Sequence, residues 1–239
     1  MPNEDNDRKI TFGGEIIPAV VYETPNIVRA TRKMTVVAIP GSSRESIEME
    51  DAWESYEQKY NFFVGDGTED SIQAALDEVA RIIYKTGYQV LLDDFEPDIY
   101  RLAYYQGGFE AANEQTRLGT FELSFKCRPE RFLVTGDTPV TFTADGTITN
   151  PTAFDSKPLI RLTGDGDGTL TVGDTTVTIT GMNDFLNIDS DRMDVYRGRT
   201  QNRNYLMTGE FPVLKPDVNV VSFTGGITQV KITPRWWVI

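Results

Sequence analysis

The segment with the most chemical promise is Gly164–Gly168, which reads Gly-Asp-Gly-Asp-Gly. Two carboxylates this close together can bind calcium, which takes about six or more oxygen ligands. An EF-hand loop, however, needs further acidic or amide residues at alternate positions and a late glutamate, and the sequence lacks them. The pattern is more typical of a flexible hairpin loop whose glycines accept positive φ angles. We therefore predict no metal site here.

A second carboxylate pair, Asp189 and Asp191, has the composition of a glycosidase site. The two carboxyl groups of such a site lie about 5–10 Å apart across a cleft, and one has a raised pKa. Residues two positions apart on a strand face the same side of the sheet but form no cleft by themselves. A carboxylate glycosidase therefore remains an alternative hypothesis, but a structural role for Asp189 and Asp191 is favoured.

The residue types needed for other catalytic sites are scarce. The chain has no histidine and one cysteine, Cys127. This composition excludes a Ser-His-Asp or Cys-His nucleophile and a histidine-ligated zinc or iron site. Cys127 lies on an alternating strand, where it is expected to be a small buried hydrophobe. Neither Gly107-Gly108 nor Gly225-Gly226 opens a helix in a phosphate-binding pattern. We predict a protein that is not an enzyme and binds no cofactor.

The charge of the chain limits its partners. Its formal net charge is −13, with a pI near 4.5. This average field repels nucleic acid and anionic membranes, so neither is expected as a partner. Arg197-Gly198-Arg199, with Arg203, is a basic island that either meets an acidic partner surface or is a solvated loop. The polar N-terminal residues lack the apolar run of a signal peptide, which predicts synthesis in the cytoplasm.

The hydrophobic periodicity predicts a mainly β chain with one principal helix. Apolar residues at helical spacing over Ser71–Lys85 indicate that helix, whose apolar face is expected to pack on a sheet of its own domain. We expect a domain junction near 128–136, with an N-terminal α+β domain over 1–132 and a C-terminal β-sandwich over 133–239. Short strands are predicted in the second domain, including Pro158–Thr163, Thr169–Val172, Phe185–Asp189, Val218–Phe223 and Gln229–Pro234. The last strand, within 229–239, fits either domain.

Two aromatic groups are the candidate contact residues. The first group lies in Asp51–Val64, a predicted strand or hairpin arm. Because so many large apolar groups need burial, we expect this arm to contact a neighbouring subunit. Its residues are Trp53, Tyr56, Tyr60, Phe62 and Phe63.

The second group ends the chain with Arg235, Trp236 and Trp237. Adjacent tryptophans on a strand face opposite sides, so one is expected in the core and the other against an adjoining surface. An alternative function, a carbohydrate-binding module, would use Trp236 and Trp237 to stack on host surface glycans.

The order of several short motifs resembles the distal tail (Dit) family of long-tailed bacteriophages. Each motif is weak alone, but together they cover nearly the whole chain. They are Ile10-Thr11-Phe12-Gly13-Gly14, Val36-Val37-Ala38-Ile39-Pro40-Gly41, the helix Ser71–Lys85, Leu91-Leu92-Asp93-Asp94, Phe121–Pro129, Phe211–Asn219 and Pro234-Arg235-Trp236-Trp237. Asp217 stands where the family usually has glycine, and 44–65 does not align with the family pattern.

The resemblance implies a structural role in the virion. Members of the family form homohexameric rings at the tail tip, between the tail tube protein and the tail-associated hub protein of the baseplate. Their N-terminal domain makes the ring wall, and their C-terminal domain is a galectin-like β-sandwich that often docks receptor-binding proteins. On this resemblance, the chain is expected to assemble in the bacterial cytoplasm into such a ring.

Overall fold

A computed structural model describes residues 8–65, 69–115, 118–198 and 201–239. The chain divides into two compact units, the first ending at Arg131 and including Ile239, the second spanning Phe132–Val238. In the first unit, the described elements are β1 (Ile10–Phe12), β2 (Glu15–Ile16), β3 (Val20–Val21), β4 (Arg32–Ala38), β5 (Glu45–Trp53), β6 (Tyr56–Val64), α1 (Glu69–Ile83), β7 (Gln89–Asp93), β8 (Ile99–Tyr105), β9 (Ala112–Gln115) and β10 (Leu118–Leu133), whose last residues continue into the second unit.

The first unit is built on a sheet with strand order β2-β1-β7-β8-β10-β6-β3, and β9 also pairs with β10. The alternating strand Thr120–Cys127 was predicted to be half-buried, and it lies within β10. Phe121, Leu123, Phe125 and Cys127 point into the core, with exposures of 4% or less, while the intervening side chains face outward. Alternation along the strand therefore decides which face is buried.

Helix α1 covers the core of this unit, as its apolar spacing predicts. Ile72, Val79, Ile82 and Ile83 are buried in the same cluster as the inward residues of β6 and β10. Charged residues occupy other positions of the helix, where Arg81 donates to Glu78. The helix face therefore packs within its own unit.

Strands β4 and β5 form a separate two-stranded sheet. Every side chain of β4 is exposed, so this strand contributes no residue to the core. An isolated two-stranded hairpin is marginally stable in water because it buries little apolar surface. We call this hairpin, Arg32–Trp53, the arm from here on. It shares only 51–53 with the hairpin arm that the sequence predicts over 51–64.

The second unit continues with strands and two short 3-10 turns. The sequence did not predict the strands at 140–142, 146–150, 201–202 and 207–208 of this unit. Its elements are a 3-10 turn (Val134–Asp137), β11 (Val140–Phe142), β12 (Gly146–Asn150), β13 (Leu159–Val172), β14 (Thr175–Met182), β15 (Phe185–Asp189), β16 (Asp194–Arg197), β17 (Gln201–Asn202), a 3-10 turn (Asn204–Leu206), β18 (Met207–Thr208), β19 (Asp217–Thr233) and β20 (Trp237–Val238).

Two long strands organise the second unit. Strands β13 and β19 pair along most of their lengths, and β13 also pairs with β15 near its start and with β14 near its end. The fold class is confirmed as mainly β with one helix. The separate short strands predicted at 158–163 and 169–172 are wrong, however, because one strand runs through both. Likewise, 218–223 and 229–234 belong largely to the single strand β19.

The register shift between these two strands, here called the corner, explains the Gly-Asp-Gly-Asp-Gly segment. Its hairpin-loop interpretation is wrong, since Gly164–Gly168 lies inside β13. Here β13 meets Gly225 and Gly226 of β19 at shifted register. A Cβ on Gly226 would lie 1.7 Å from the carbonyl oxygen of Asp165, and one on Gly164 would lie 2.0 Å from the carbonyl oxygen of Gly226. Glycine is therefore needed because the two backbones approach so closely at this corner.

We expect Gly226→Ala to lower the free energy of unfolding of the second unit by about 3 kcal/mol, because the new methyl group collides with backbone. The matched control is Gly166→Ala, where φ is +85° but no atom lies within 4 Å of the added Cβ. That change should cost only about 1 kcal/mol of left-handed backbone strain. Urea unfolding of the two variants measures the difference. Equal losses would show that the close approach does not control the corner.

Candidate functional site

The aromatic stretch predicted as a subunit contact lies mostly inside its own unit. Tyr56, Tyr60 and Phe62 alternate along β6 and are 7%, 1% and 0% exposed. The ring of Phe62 stacks on Phe121 at 5.4 Å. Phe63 faces the other side of the strand and is half-buried. The reason for assigning these residues to a neighbouring subunit is therefore removed, because the unit already buries three of them.

The hydroxyl groups of two of these tyrosines reach a buried charge cluster. Tyr60 donates to Oδ2 of Asp93 at 2.8 Å, and Nε of Arg101 donates to the hydroxyl of Tyr56 at 3.2 Å. Burial raises the pKa of the Tyr60 phenol well above its usual value, and the neighbouring Asp93 charge raises it further. The phenol therefore stays protonated and acts as a hydrogen-bond donor.

Glu96 joins two buried arginines in this cluster. Arg101 and Arg131 each donate to one of its carboxylate oxygens. Their side chains are 1% and 4% exposed, so each charge needs a partner inside the protein. Arg131 also donates to the carbonyl oxygen of Ile239 at 3.4 Å. The sequence does not predict this cluster, because nothing in the spacing of these residues distinguishes them from surface charges.

The exposed candidate for assembly is the arm. The sequence does not predict most of its β5 strand, because 44–51 is acidic and weakly patterned. A signal was present nevertheless, because Ile47 and Met49 alternate with glutamates, as half-buried strand residues do. Trp53 lies at the base of the arm, partly buried against the first core, with the guanidinium of Arg32 over its ring.

The two faces of the arm differ in chemistry. The register pairs Met34 with Met49 and Val36 with Ile47, which places four apolar side chains on one face. These four are between 48% and 62% exposed. The opposite face is mixed, with Thr35 paired with Glu48, and Val37, which is 49% exposed, paired with Ser46. A contiguous apolar face of this kind marks an interaction site, because monomeric proteins rarely leave such patches in water. We call these four residues the arm face.

The terminal tryptophans are held within the second unit. Trp236 is 6% exposed and belongs to its core. The indole N–H of Trp237 donates to the carbonyl oxygen of Asp155 at 2.8 Å, and its ring stacks on Phe154 at 4.5 Å. Trp236 thus packs in the core, while Trp237 makes its own contacts with Asp155 and Phe154. These contacts disfavour the carbohydrate-binding alternative, which needs an accessible aromatic platform.

Arg235 anchors the same terminal segment. Its guanidinium donates to both carboxylate oxygens of Asp189, at 2.7 and 3.1 Å. Burial alone would raise the pKa of Asp189, but the hydrogen bonds and charge of Arg235 outweigh burial and lower it. A glycosidase acid needs the opposite shift. Asp189 also accepts from the backbone N–H of Asp191, so the pair proposed for catalysis is part of a turn.

The other sequence candidates have structural partners as well. Asp165 accepts from the backbone N–H of Asp184, and Asp167 accepts from that of Gly181, so both carboxylates brace the strand corner. In the described part of the chain, no group of three or more acidic or cysteine side chains is arranged to hold a metal ion. Burial raises the pKa of the Cys127 thiol to about 12. This thiol is therefore protonated, and not a ready nucleophile, at neutral pH.

Two arginines of the basic island have partners within the chain. Arg197 pairs with Asp184 at 3.4 Å, and Arg203 donates to neighbouring Gln201. Arg199 lies outside the described residues.

Among the described helices, none has the length and apolar character to cross a membrane.

We expect Arg235→Ala to lower the free energy of unfolding by about 3 kcal/mol at neutral pH, because it leaves the buried Asp189 carboxylate without its cation. The folded-state pKa of Asp189 is lowered, so the pair stabilises the protein above the unfolded pKa of about 3.9 and loses this effect as pH falls through the folded value. The loss should therefore shrink in acid. Urea unfolding at several pH values measures it.

The control for that measurement is Lys215→Ala. This change removes an ion pair with Asp174 whose two side chains are 59% and 79% exposed. Solvent screens such a pair, so no clear loss of stability is expected. A pH-independent loss in Arg235→Ala, or an equal loss in the control, would contradict the role assigned to the buried pair.

Comparison with solved structures identifies the fold. The SPP1 Dit protein, described as a paradigm of the hub adsorption apparatus in phages that infect Gram-positive bacteria, matches with a TM-score of 0.74 and 17% identity over 94% of this chain and 98% of that chain. A chain of the phage p2 baseplate in its activated conformation with Sr matches with a TM-score of 0.55 and 8% identity, covering 94% of this chain and 97% of that one. The same baseplate with Ca matches with a TM-score of 0.52 and 8% identity over the same shares.

No protein-family model and no curated protein matches the sequence. The structural match nevertheless extends over both units of the chain, and it agrees with the order of the sequence motifs. The chain therefore has the fold of the phage Dit proteins.

Proposed function

We propose that this protein is a structural component of a phage tail, and that six copies form a ring at the tail tip. The Dit-like fold supports a place in the tail or baseplate. The observation that carries the ring is the arm, a hairpin whose apolar face is left in water by its own chain. We assign a second copy as the occupant, since a repeated head-to-tail contact makes a ring when its rotation closes.

The first unit also offers a surface that suits the arm face. Ile16 and Leu92 both pair with Thr11, which places them in one row on the outer side of the first sheet. Val90 lies two residues along β7 on the same side. Ile16, Val90 and Leu92 are 53%, 38% and 36% exposed. We call these three residues the outer patch, and we infer that the arm face of one subunit packs on the outer patch of the next.

Charge also favours this apolar contact. The protein has a formal net charge of −13, and the arm itself bears several glutamates. Two copies therefore repel each other at long range, and a stable contact needs surfaces without charge. The arm face and the outer patch meet that requirement. The contact also covers a hairpin whose edges would otherwise invite uncontrolled strand pairing.

The remaining assignments follow from the resemblance to the Dit family. The first unit would form the ring wall between the tail tube protein and the tail-associated hub protein. The second unit would be a galectin-like platform that can dock receptor-binding proteins. The protein would assemble in the host cytoplasm, reside in the virion, and catalyse no reaction. The buried positions of Asp189 and Cys127 agree with this structural role.

We expect the wild-type protein to have six times the monomer mass by multi-angle light scattering at high protein concentration. The double variant Met34→Glu, Ile47→Glu should be monomeric, because it places two charges on the arm face. The control, Thr35→Glu with Ser46→Glu, adds the same charge to the opposite face and should keep the ring. A monomeric wild type, or a ring that survives in the first variant, would refute the proposed contact.

Disulfide cross-linking tests which surface receives the arm. Ile47→Cys combined with Leu92→Cys should give a ladder of covalent oligomers up to the hexamer under mild oxidation. The natural Cys127 is fully buried and should not interfere. Each single variant should give dimers at most. The control, Ser46→Cys with Leu92→Cys, presents its thiol on the wrong face of the arm. A ladder from the control alone would exclude the assigned register.

A further inference from the structure

The outer side of the second sheet contains a row of polar residues that crosses five strands. The register joins Thr141 to Lys231, Lys231 to Arg161, Arg161 to Asn187, and Asn187 to Tyr196. Their sequence neighbours Ile160, Leu162, Val230, Ile232 and Ile188 are buried in the second core. Alternation along each strand therefore points the whole row outward. We call these five residues the basic row.

The centre of the row places two like charges side by side. Lys231 and Arg161 are directly opposite on neighbouring strands, and both are exposed. Side chains in that relation are about 5 Å apart at their Cβ atoms, and like charges there lower stability. Within the described ranges, neither side chain forms an ion pair. This arrangement stands out in a protein with a formal net charge of −13.

The carboxylates on the adjoining elements are already engaged. Asp184 pairs with Arg197, Asp189 pairs with Arg235, and Asp194 accepts from Asn202. They are therefore committed to other donors and do not neutralise the central pair. An acid supplied from outside the chain would do so.

The guanidinium of Arg161 has a defined position. Its central carbon lies 4.0 Å from the centre of the Phe185 ring, a distance typical of a cation–π contact. Arg197 approaches the same ring at 5.3 Å. This contact holds the guanidinium in place without using its hydrogen-bond donors on a carboxylate. The donors remain available for a carboxylate brought by a partner, and little side-chain freedom is lost on binding.

The overall charge of the protein selects among acidic partners. A long polyanion such as a phosphate polymer meets the repulsive field of the whole chain. A short acidic segment of another protein carries few charges and feels mainly the local positive row. Extended peptides also suit a flat row with an amide from Asn187 and a hydroxyl from Tyr196, which can bond to backbone groups. We propose that the basic row is a docking surface for an acidic, extended segment of a partner protein.

The test uses the full chain and a fluorescent peptide in which glutamate alternates with serine. Fluorescence anisotropy at low salt should show binding that weakens as salt is added. Lys231→Gln and Arg161→Gln should each raise the dissociation constant about fivefold, the size expected for one exposed ion pair. The control Lys157→Gln removes an exposed cation outside the row and should leave binding unchanged. The same peptide with glutamine in place of glutamate should not bind.

Thermal unfolding supplies an independent measurement. Because Lys231 opposes Arg161, Lys231→Gln should raise the melting temperature by about 2 °C. A lower melting temperature would assign Lys231 a structural role and overturn the proposal. Absence of peptide binding, or an equal effect of Lys157→Gln, would also overturn it. Binding of sodium polyphosphate without binding of the acidic peptide would replace the protein partner with a phosphate polymer.

Discussion

The first unit depends on one carboxylate, that of Glu96, which receives hydrogen bonds from Arg101 and Arg131. Both arginines are almost fully buried, and an unpaired charge in that setting costs several kcal/mol. The strands that carry them must therefore hold Glu96 between them. Arg131 is also the residue at which the chain passes to the second unit, and it donates to Ile239. One charge cluster thus links β8 and β10 to the turn that contains Glu96.

The second unit is governed by backbone contact instead of charge. Strands β13 and β19 shift register at a corner where a Cβ on Gly164, Gly225 or Gly226 would collide with a carbonyl oxygen of the facing strand. Asp165 and Asp167 hold that corner by accepting backbone N–H groups from the turn after β14 and from β14 itself, respectively. Arg235 and Asp189 then close the other end of the sheet. A segment that resembles a calcium loop by composition is therefore part of the sheet architecture.

The interiors of both units contrast with two of their surfaces. Inside, aromatic, acidic and basic groups find partners in the same unit. The arm face and the basic row do not, because one leaves apolar groups in water and the other leaves two cations side by side. Surfaces of this kind lower the stability of the isolated chain, and a partner removes the cost. Both surfaces lie on a chain that has the fold of the phage Dit proteins.

The sequence by itself determined the elements whose patterns are local. Alternation placed Phe121, Leu123, Phe125 and Cys127 in the core, helical spacing located α1, and the lack of histidine excluded the common nucleophilic sites. Only the tertiary structure decided which aromatic residues are buried. Tyr56 and Tyr60 fill their own core, while Met34 and Ile47 of the arm remain in water. Burial of a hydrophobic residue is favourable wherever it lies in the sequence. Whether its own chain buries it depends on which strands pack beside it in the tertiary structure. The tertiary structure likewise decides which charged residues are paired. It places Glu96 between two buried arginines, and it places Lys231 opposite Arg161 on the neighbouring strand.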